Sequence, residues 1–148
     1  MRTRLLTDGP PRQYVVVFDI GEEFHAGLTD WAADTDVEAS AFTGVGGFQE
    51  AVLGYYDMQA QDYVDIPVDA QVEVLVLAGD ITGTDDGWMV HAHTVCGRRD
   101  GSTVGGHVQR GIVRPTLEVV VTASPTALRR RHDPRSGLAL IDVDASDG

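Results

Sequence analysis

Hydrophobic and polar positions alternate along most of the chain, and the main exception lies near its start. From residue 22 to 34, Phe24, Leu28, Trp31 and Ala32 recur at the spacing of an amphipathic helix. Two acidic residues open this segment, where the helix dipole favours negative charge. The pattern therefore predicts one helix here, followed by segments whose period-two alternation predicts strands.

The predicted strands cover most of the remaining sequence. Clusters of glycine, proline and aspartate separate the apolar runs, and those at residues 85–87 and 100–101 predict tight turns. The segment PTALRRRHDPRSG is expected to form a polar loop or a short helix. The predicted strands are residues 14–19, one strand on each side of a glycine break at 44–47, a short strand containing Pro67, residues 71–81, residues 88–95, a strand from about Val104, TLEVVVTAS and LALIDV.

These elements indicate an α+β fold, with a mainly antiparallel β-sheet of about seven strands and one principal helix. A length of 148 residues fits one domain with a single core. We expect a flexible N-terminal arm at residues 1–12, a single domain at 13–143 and an acidic tail at 144–148. The sequence contains no internal repeat and no linker long enough to separate two domains.

The charge balance is strongly acidic. The chain has 23 acidic and 11 basic residues, a formal net charge of −12 and no lysine, and aspartate outnumbers glutamate. Such a composition suits concentrated salt, because the Debye length falls to about 3 Å at 1 M and self-repulsion then costs little. We interpret the protein as halophilic; the alternative, a high-GC genome, explains the missing lysine but not the aspartate excess. The acidity also disfavours DNA, since phosphate contacts need clustered lysine and arginine.

Several absences bear on the compartment. The single cysteine, Cys96, excludes an internal disulfide and is expected to be a small buried side chain. The chain contains no run of about 20 apolar residues, so no membrane-spanning helix is predicted. The first residues are too few and too polar for a signal peptide. A cytoplasmic location is therefore expected.

Three of the five histidines lie in one stretch, between residues 88 and 111. His91 and His93 are two positions apart, so on a strand they point to the same face. A turn at 100–101 would fold the chain back and bring His107 beside them. Three imidazoles on one face predict a Zn²⁺ site with an open fourth position. The alternative is that these histidines bond to backbone or carboxylate groups and bind no metal.

Other candidate residues carry weaker signals. Glu73 lies on a strand predicted to neighbour the histidine strand, where it would orient a histidine or act as a base. The alternative for Glu73, and for Glu118, is a solvent-facing carboxylate. His25 and His132 are expected on the surface. The arginines at 129–131 are expected to lie in a solvated loop; the alternatives are a subunit contact or a phosphate-binding site.

The order of these segments resembles the PPC domain, the plants and prokaryotes conserved domain, also called DUF296 or PD1-like. The resemblance runs from about Tyr14 to Ile141, and H-x-H with G-G-H is its most specific part. The segments that carry it are WAADTDVEASAFTGVGGFQEAVLGYYD, VHAHTVCGRRDGSTVGGHV and EVVVTASPTALRRRHDPRSGLALI.

The resemblance implies an antiparallel sheet with one helix, assembled as a homotrimer. It also implies zinc held by the histidines of H-x-H and G-G-H, which are His91, His93 and His107 here. Ala92 is smaller than the family's usual residue between the first two. Plant members carry AT-hook motifs, but this chain has no Arg-Gly-Arg-Pro core.

Three functional hypotheses follow. We favour a stand-alone homotrimeric PPC domain that binds zinc and has an unknown cellular role, with a small-molecule ligand near the histidines as a further possibility. The second hypothesis is an enzyme in which zinc-activated water attacks a small molecule. The third is a DNA-binding or nucleoid-associated protein, which the family association suggests and the acidity opposes.

Overall fold

The computed structural model describes residues 1–85 and 87–144. Within these residues the chain forms one α-helix and nine strands, most of them antiparallel, so the predicted fold class is confirmed. The elements in chain order are β1 (Arg2–Thr7), β2 (Arg12–Phe18), α1 (Phe24–Thr35), β3 (Ala39–Asp57), β4 (Asp62–Val68), β5 (Val72–Thr84), β6 (Gly87–Gly97), β7 (Thr103–Ala123), β8 (Arg129–Asp133) and β9 (Leu138–Asp142).

Four strands close the sheet around the core. β3 pairs with β5 and β7, and β6 pairs with the same two strands, so the pairings form a ring. β2 and β1 extend the sheet beyond β7, and β4 pairs with the end of β3. The hairpin of β8 and β9 joins β5 through a parallel contact between Gly83 and Arg129. Alternate side chains from these strands fill the interior, which is almost wholly apolar.

The helix forms where the periodicity predicts it. The Glu23 carboxylate accepts a hydrogen bond from the Ala26 amide at 2.6 Å and so caps the first turn. Asp36 ends the helix in the left-handed conformation, with its amide bonded back to the last turn. The predicted apolar positions are all buried: Phe24, Leu28, Trp31 and Ala32. The helix packs against β6 and β7.

The predicted glycine break at residues 44–47 is wrong, because β3 runs through it as one strand with a register shift. A Cβ on Gly46 would lie 2.2 Å from the carbonyl oxygen of Thr116, and one on Gly47 would lie 2.3 Å from that of Arg114. The glycines therefore allow β7 to approach β3 closely rather than ending a strand.

Two segments expected to be irregular are strands. Residues 2–7 of the expected N-terminal arm form β1, although all six side chains are exposed. Residues 129–133 of the expected loop form β8, whose sequence is RRRHD. Backbone pairing holds both strands, and neither has the apolar alternation by which a sequence predicts a strand. Asp86 of the predicted turn and residues 145–148 of the acidic tail lie outside the described residues.

Candidate metal centre

Strand pairing brings the three predicted histidines together. His91 and His93 project from one face of β6, while Ala92 between them is buried on the other face. His107 on β7 lies directly opposite His93 in the register of the two strands. One ligand nitrogen from each imidazole lies within 4.8 Å of the other two. The predicted grouping of His91, His93 and His107 is therefore present in the structure.

The three rings lie close to one another. Their centroids are 5.1 Å apart for His91 and His93, 5.4 Å for His91 and His107, and 5.5 Å for His93 and His107. His93 is exposed, whereas the other two are partly buried. The site therefore has two sheltered imidazoles and one at its open side.

A carboxylate orients His91. Asp80 lies opposite His91 on β5, and its Oδ2 is 3.2 Å from His91 Nδ1. Burial alone would raise the pKa of Asp80, but hydrogen bonds from His91 and Arg130 hold it below its ordinary value. An ionised carboxylate can only accept a hydrogen bond, so the contact with Asp80 favours the proton on Nδ1 of His91 and leaves the lone pair on Nε2. This carboxylate–histidine pairing is typical of protein metal ligands.

Arg130 from β8 holds Asp80 in turn. Its side chain is only 7% exposed, and its NH2 nitrogen donates to Asp80 Oδ1 at 2.8 Å. Nε donates to the Thr82 hydroxyl at 3.0 Å, and NH1 donates to the Ala139 carbonyl at 2.8 Å. The expectation of a solvated arginine loop is wrong for this residue. Its role could not be read from the sequence, because Arg130 is 39 positions from His91.

His107 is the most sheltered of the three. Its ring stacks on Tyr63 of β4 at a centroid distance of 4.8 Å, and its buried Nδ1 has no hydrogen-bond partner within the described structure. Burial, followed by the nearby His91 and His93, lowers the pKa of His107 to about 4. Burial also lowers the pKa of His93, with His91 as the second cause. These histidines are therefore neutral near pH 7.

Neutral imidazoles with free nitrogen lone pairs are what a zinc ion requires. The unpartnered Nδ1 of His107 and the oriented Nε2 of His91 both fit that requirement. An all-nitrogen set suits zinc and other late divalent metals better than calcium or magnesium, which prefer oxygen. The residues present therefore fit a zinc ion.

The other candidate residues lie elsewhere or differ from expectation. Glu73 is exposed on β5, seven residues before Asp80, and its partner on β6 is Gly97 rather than a histidine. The carboxylate that orients a histidine is therefore Asp80. Glu118 is exposed. Cys96 is buried, as predicted. His132 is exposed, but on a strand.

His25 is not a simple surface residue. Its Nε2 lies 2.9 Å from the Val90 carbonyl oxygen and is part-buried. It lines a cavity of about 330 Å³ that also includes His91 and His107. The sequence could not predict that His25 lines a cavity, because the cavity forms only when α1 packs beside β6.

The family model for the Plants and Prokaryotes Conserved (PCC) domain matches residues 6–125. The chain belongs to this family, and the resemblance in its motifs is confirmed. No curated protein matches the sequence. No helix among the described residues is long and apolar enough to cross a membrane.

Solved structures share the fold over nearly their whole length. The metal-containing protein AF0104 from Archaeoglobus fulgidus is 26% identical, with a TM-score of 0.84 over 94% of this chain and 99% of that one. A plant- and prokaryote-conserved protein from Pyrococcus horikoshii is 24% identical, with a TM-score of 0.84 over 93% and 97%. A Bacteroides thetaiotaomicron protein with a provisional DNA-binding description is 23% identical, with a TM-score of 0.88 over 96% and 98%. The last two likenesses concern the fold alone.

Proposed function

We propose that this chain is a metal-binding domain that holds one Zn²⁺ through His91, His93 and His107. The convergence of three imidazoles, with His91 oriented by Asp80, is the observation that carries the proposal. The metal-containing relative AF0104 supports it. A zinc ion with three protein ligands supplies a Lewis-acidic position for water or another small ligand.

Metal content tests the proposal directly. Protein purified without chelators or a histidine tag is expected to contain about one zinc per chain by elemental analysis. His93→Ala removes the exposed ligand and should abolish that content without cutting into the core. His132→Ala is the matched control, because His132 is exposed on β8 and should leave the zinc in place. Equal zinc in the two variants, or no binding after zinc is added back, contradicts the site.

A metal-dependent enzyme is the second candidate function. The cavity that shares His91 and His107 with the metal site favours it, because a bound molecule would lie beside the metal. Glu73 no longer supports this candidate, since it is exposed and distant along β5. Hydrolysis of small esters or amides by the zinc-loaded protein, lost in His93→Ala, is the corresponding test.

We further propose that the chain assembles as a homotrimer. Apolar side chains are exposed on the outer side of neighbouring strands and form what we call the outer apolar face: Val45, Leu75, Val76, Val95 and Val120. Val76 pairs with Val95, and Val45 and Val120 line the same groove as Leu75 and Val76. Such a face on a soluble domain favours contact with another chain.

Molar mass in solution tests the assembly. Light scattering should give three chains for the native protein and fewer for Val76→Asp, which places a charge in the outer apolar face. Val64→Asp is the control, because Val64 is equally exposed but lies on β4. A monomeric native protein, or equal loss of assembly in both variants, would refute this part of the proposal.

DNA binding is disfavoured by the surroundings of the arginines. Arg110 pairs with Glu50 at 2.9 Å, and Arg98 and Arg99 share a groove with Asp69 and Asp100. Carboxylates beside arginines weaken their attraction for phosphate. Binding to duplex DNA at low salt that weakens steeply as salt is added would reverse this interpretation.

A further inference from the structure

The cavity beside the metal site has a distinctive lining. Its volume is about 330 Å³, at the lower end for a pocket that takes a small molecule. One wall is formed by the imidazoles of His91 and His107. His25, Tyr63 and Arg130 also line it, and the remaining lining is apolar and comes from β6 and β9: Met89, Val90, Leu138, Ala139 and Leu140. A ligand held here would therefore meet the metal at one end and hydrocarbon along its body.

With the proposed metal bound, the charge beside this cavity would be positive, opposite to that of the whole chain. The formal net charge of the protein is −12. At the site, the metal would bring two positive charges, and its imidazole ligands are neutral when bound. Arg130 and Asp80 neutralise each other through their 2.8 Å contact. The local balance is therefore positive, and it favours a ligand with negative charge at the metal.

The hydrogen-bonding capacity of the cavity limits the kind of anion. Arg130 lines the cavity, but three of its five N–H groups already donate to Asp80, Thr82 and the Ala139 carbonyl, which leaves at most two for a ligand. A phosphate needs several charge-assisted donors around its oxygens, and Arg130 is the only arginine or lysine among the described lining residues, where the other polar side chains are Tyr63 and the histidines. A carboxylate bound to the metal needs far fewer.

We propose that the cavity binds a small monocarboxylate with an apolar body, its carboxylate on the open position of the metal and its hydrocarbon against β6 and β9. This inference rests on the proposed zinc site and adds the class of ligand. It needs no reaction, so it applies whether the domain is an enzyme or a binding protein.

Calorimetric titration of the zinc-loaded protein tests the proposal. Hexanoate is expected to bind at least about tenfold more tightly than acetate, because its chain reaches the apolar walls. Hexylamine, with the same chain and opposite charge, should not bind. In Co²⁺-substituted protein, hexanoate should also change the visible absorption spectrum, because a carboxylate on the metal changes its coordination.

Leu140→Asp tests the location of the hydrocarbon. Leu140 is 42% exposed, so the change should leave the fold intact while placing a negative charge beside the ligand. Hexanoate binding should weaken at least about tenfold with zinc content unchanged. Leu5→Asp is the matched control, since Leu5 is 43% exposed on β1, away from the cavity.

The outcomes separate this inference from the proposed function. Absence of zinc from the native protein overturns the metal site itself. A zinc-loaded protein that binds hexanoate no better than acetate overturns the apolar subsite and leaves the metal site intact. Equal hexanoate binding after zinc removal, or an unchanged Co²⁺ spectrum, overturns the contact between carboxylate and metal.

Discussion

At the scale of single residues, the proposed metal site depends on how His91 is held as much as on the three histidines. Asp80 accepts from Nδ1 of His91, and Arg130 fixes the carboxylate from its other oxygen. This chain of contacts sets which imidazole nitrogen is free for a metal. A partner of this kind also makes the ligand nitrogen more basic.

Asp80→Asn is expected to weaken zinc affinity about 10- to 100-fold, because the amide no longer favours the Nδ1–H form of His91. Competition with a zinc-binding dye measures the change. Asp65→Asn serves as the control, since Asp65 is exposed on β4. An affinity unchanged in Asp80→Asn would show that Asp80 does not orient the ligand.

His107 should make the metal-free protein sensitive to acid. The pKa of His107 is lowered to about 4 in the folded chain, against 6.5 for the free side chain. Between these values the unfolded state binds more protons, so the free energy of unfolding falls as pH falls from about 6.5 to 4. Urea unfolding of metal-free protein across this range measures the slope.

His107→Gln removes this titration and should reduce the loss of stability in the same pH range. His132→Gln, an exposed histidine on β8, should retain the native slope. The same slope in His107→Gln as in the native protein would mean that other groups, such as His93 and the carboxylates, account for the acid sensitivity.

At the scale of elements, helical spacing predicted α1, and apolar runs or alternation predicted β2, β5 and β6, because in each case one face is buried. The apolar run LALIDV predicted β9, although its side chains are partly buried or exposed. β1 and β8 were missed because their side chains are largely exposed and only backbone pairing defines them. His91, His93 and His107 were predicted because a strand places alternate residues on one face. Asp80 and Arg130 were not, because their contacts depend on the pairing of β5 with β6 and β8.

The continuity of β3 gives a prediction at this scale. Gly46→Ala should destabilise the fold by more than 1 kcal/mol, because its Cβ would lie 2.2 Å from a backbone oxygen of β7 that cannot move alone. Gly9→Ala is the control, since nothing lies within 4 Å of a Cβ at that position. Chemical denaturation of both variants measures the difference, and equal stability would show that β7 can shift away from β3 at little cost.

At the scale of the whole molecule, the acidic surface and the sheltered ion pair of Arg130 with Asp80 should respond differently to salt. Mutual repulsion among the carboxylates opposes folding, while the few cations are placed in specific contacts such as the one between Arg130 and Asp80. Salt should relieve the repulsion on the surface and affect this nearly buried pair much less. Stability should therefore depend on salt mainly through the exposed acids.

The melting temperature is expected to rise steadily between 0.1 M and 2 M KCl, as screening shortens the range of repulsion. General salting effects also raise melting temperatures, so a charge variant is needed to separate the two.

Asp30, Asp34 and Asp65 are exposed, and the first two are one helical turn apart, where like charges destabilise a helix. Replacing all three with Asn changes the formal net charge from −12 to −9. The variant should melt higher than the native protein in 0.1 M KCl and gain less from added salt. If both proteins gain equally, repulsion among these acids is not what salt relieves, and the composition does not reflect adaptation to salt through surface charge.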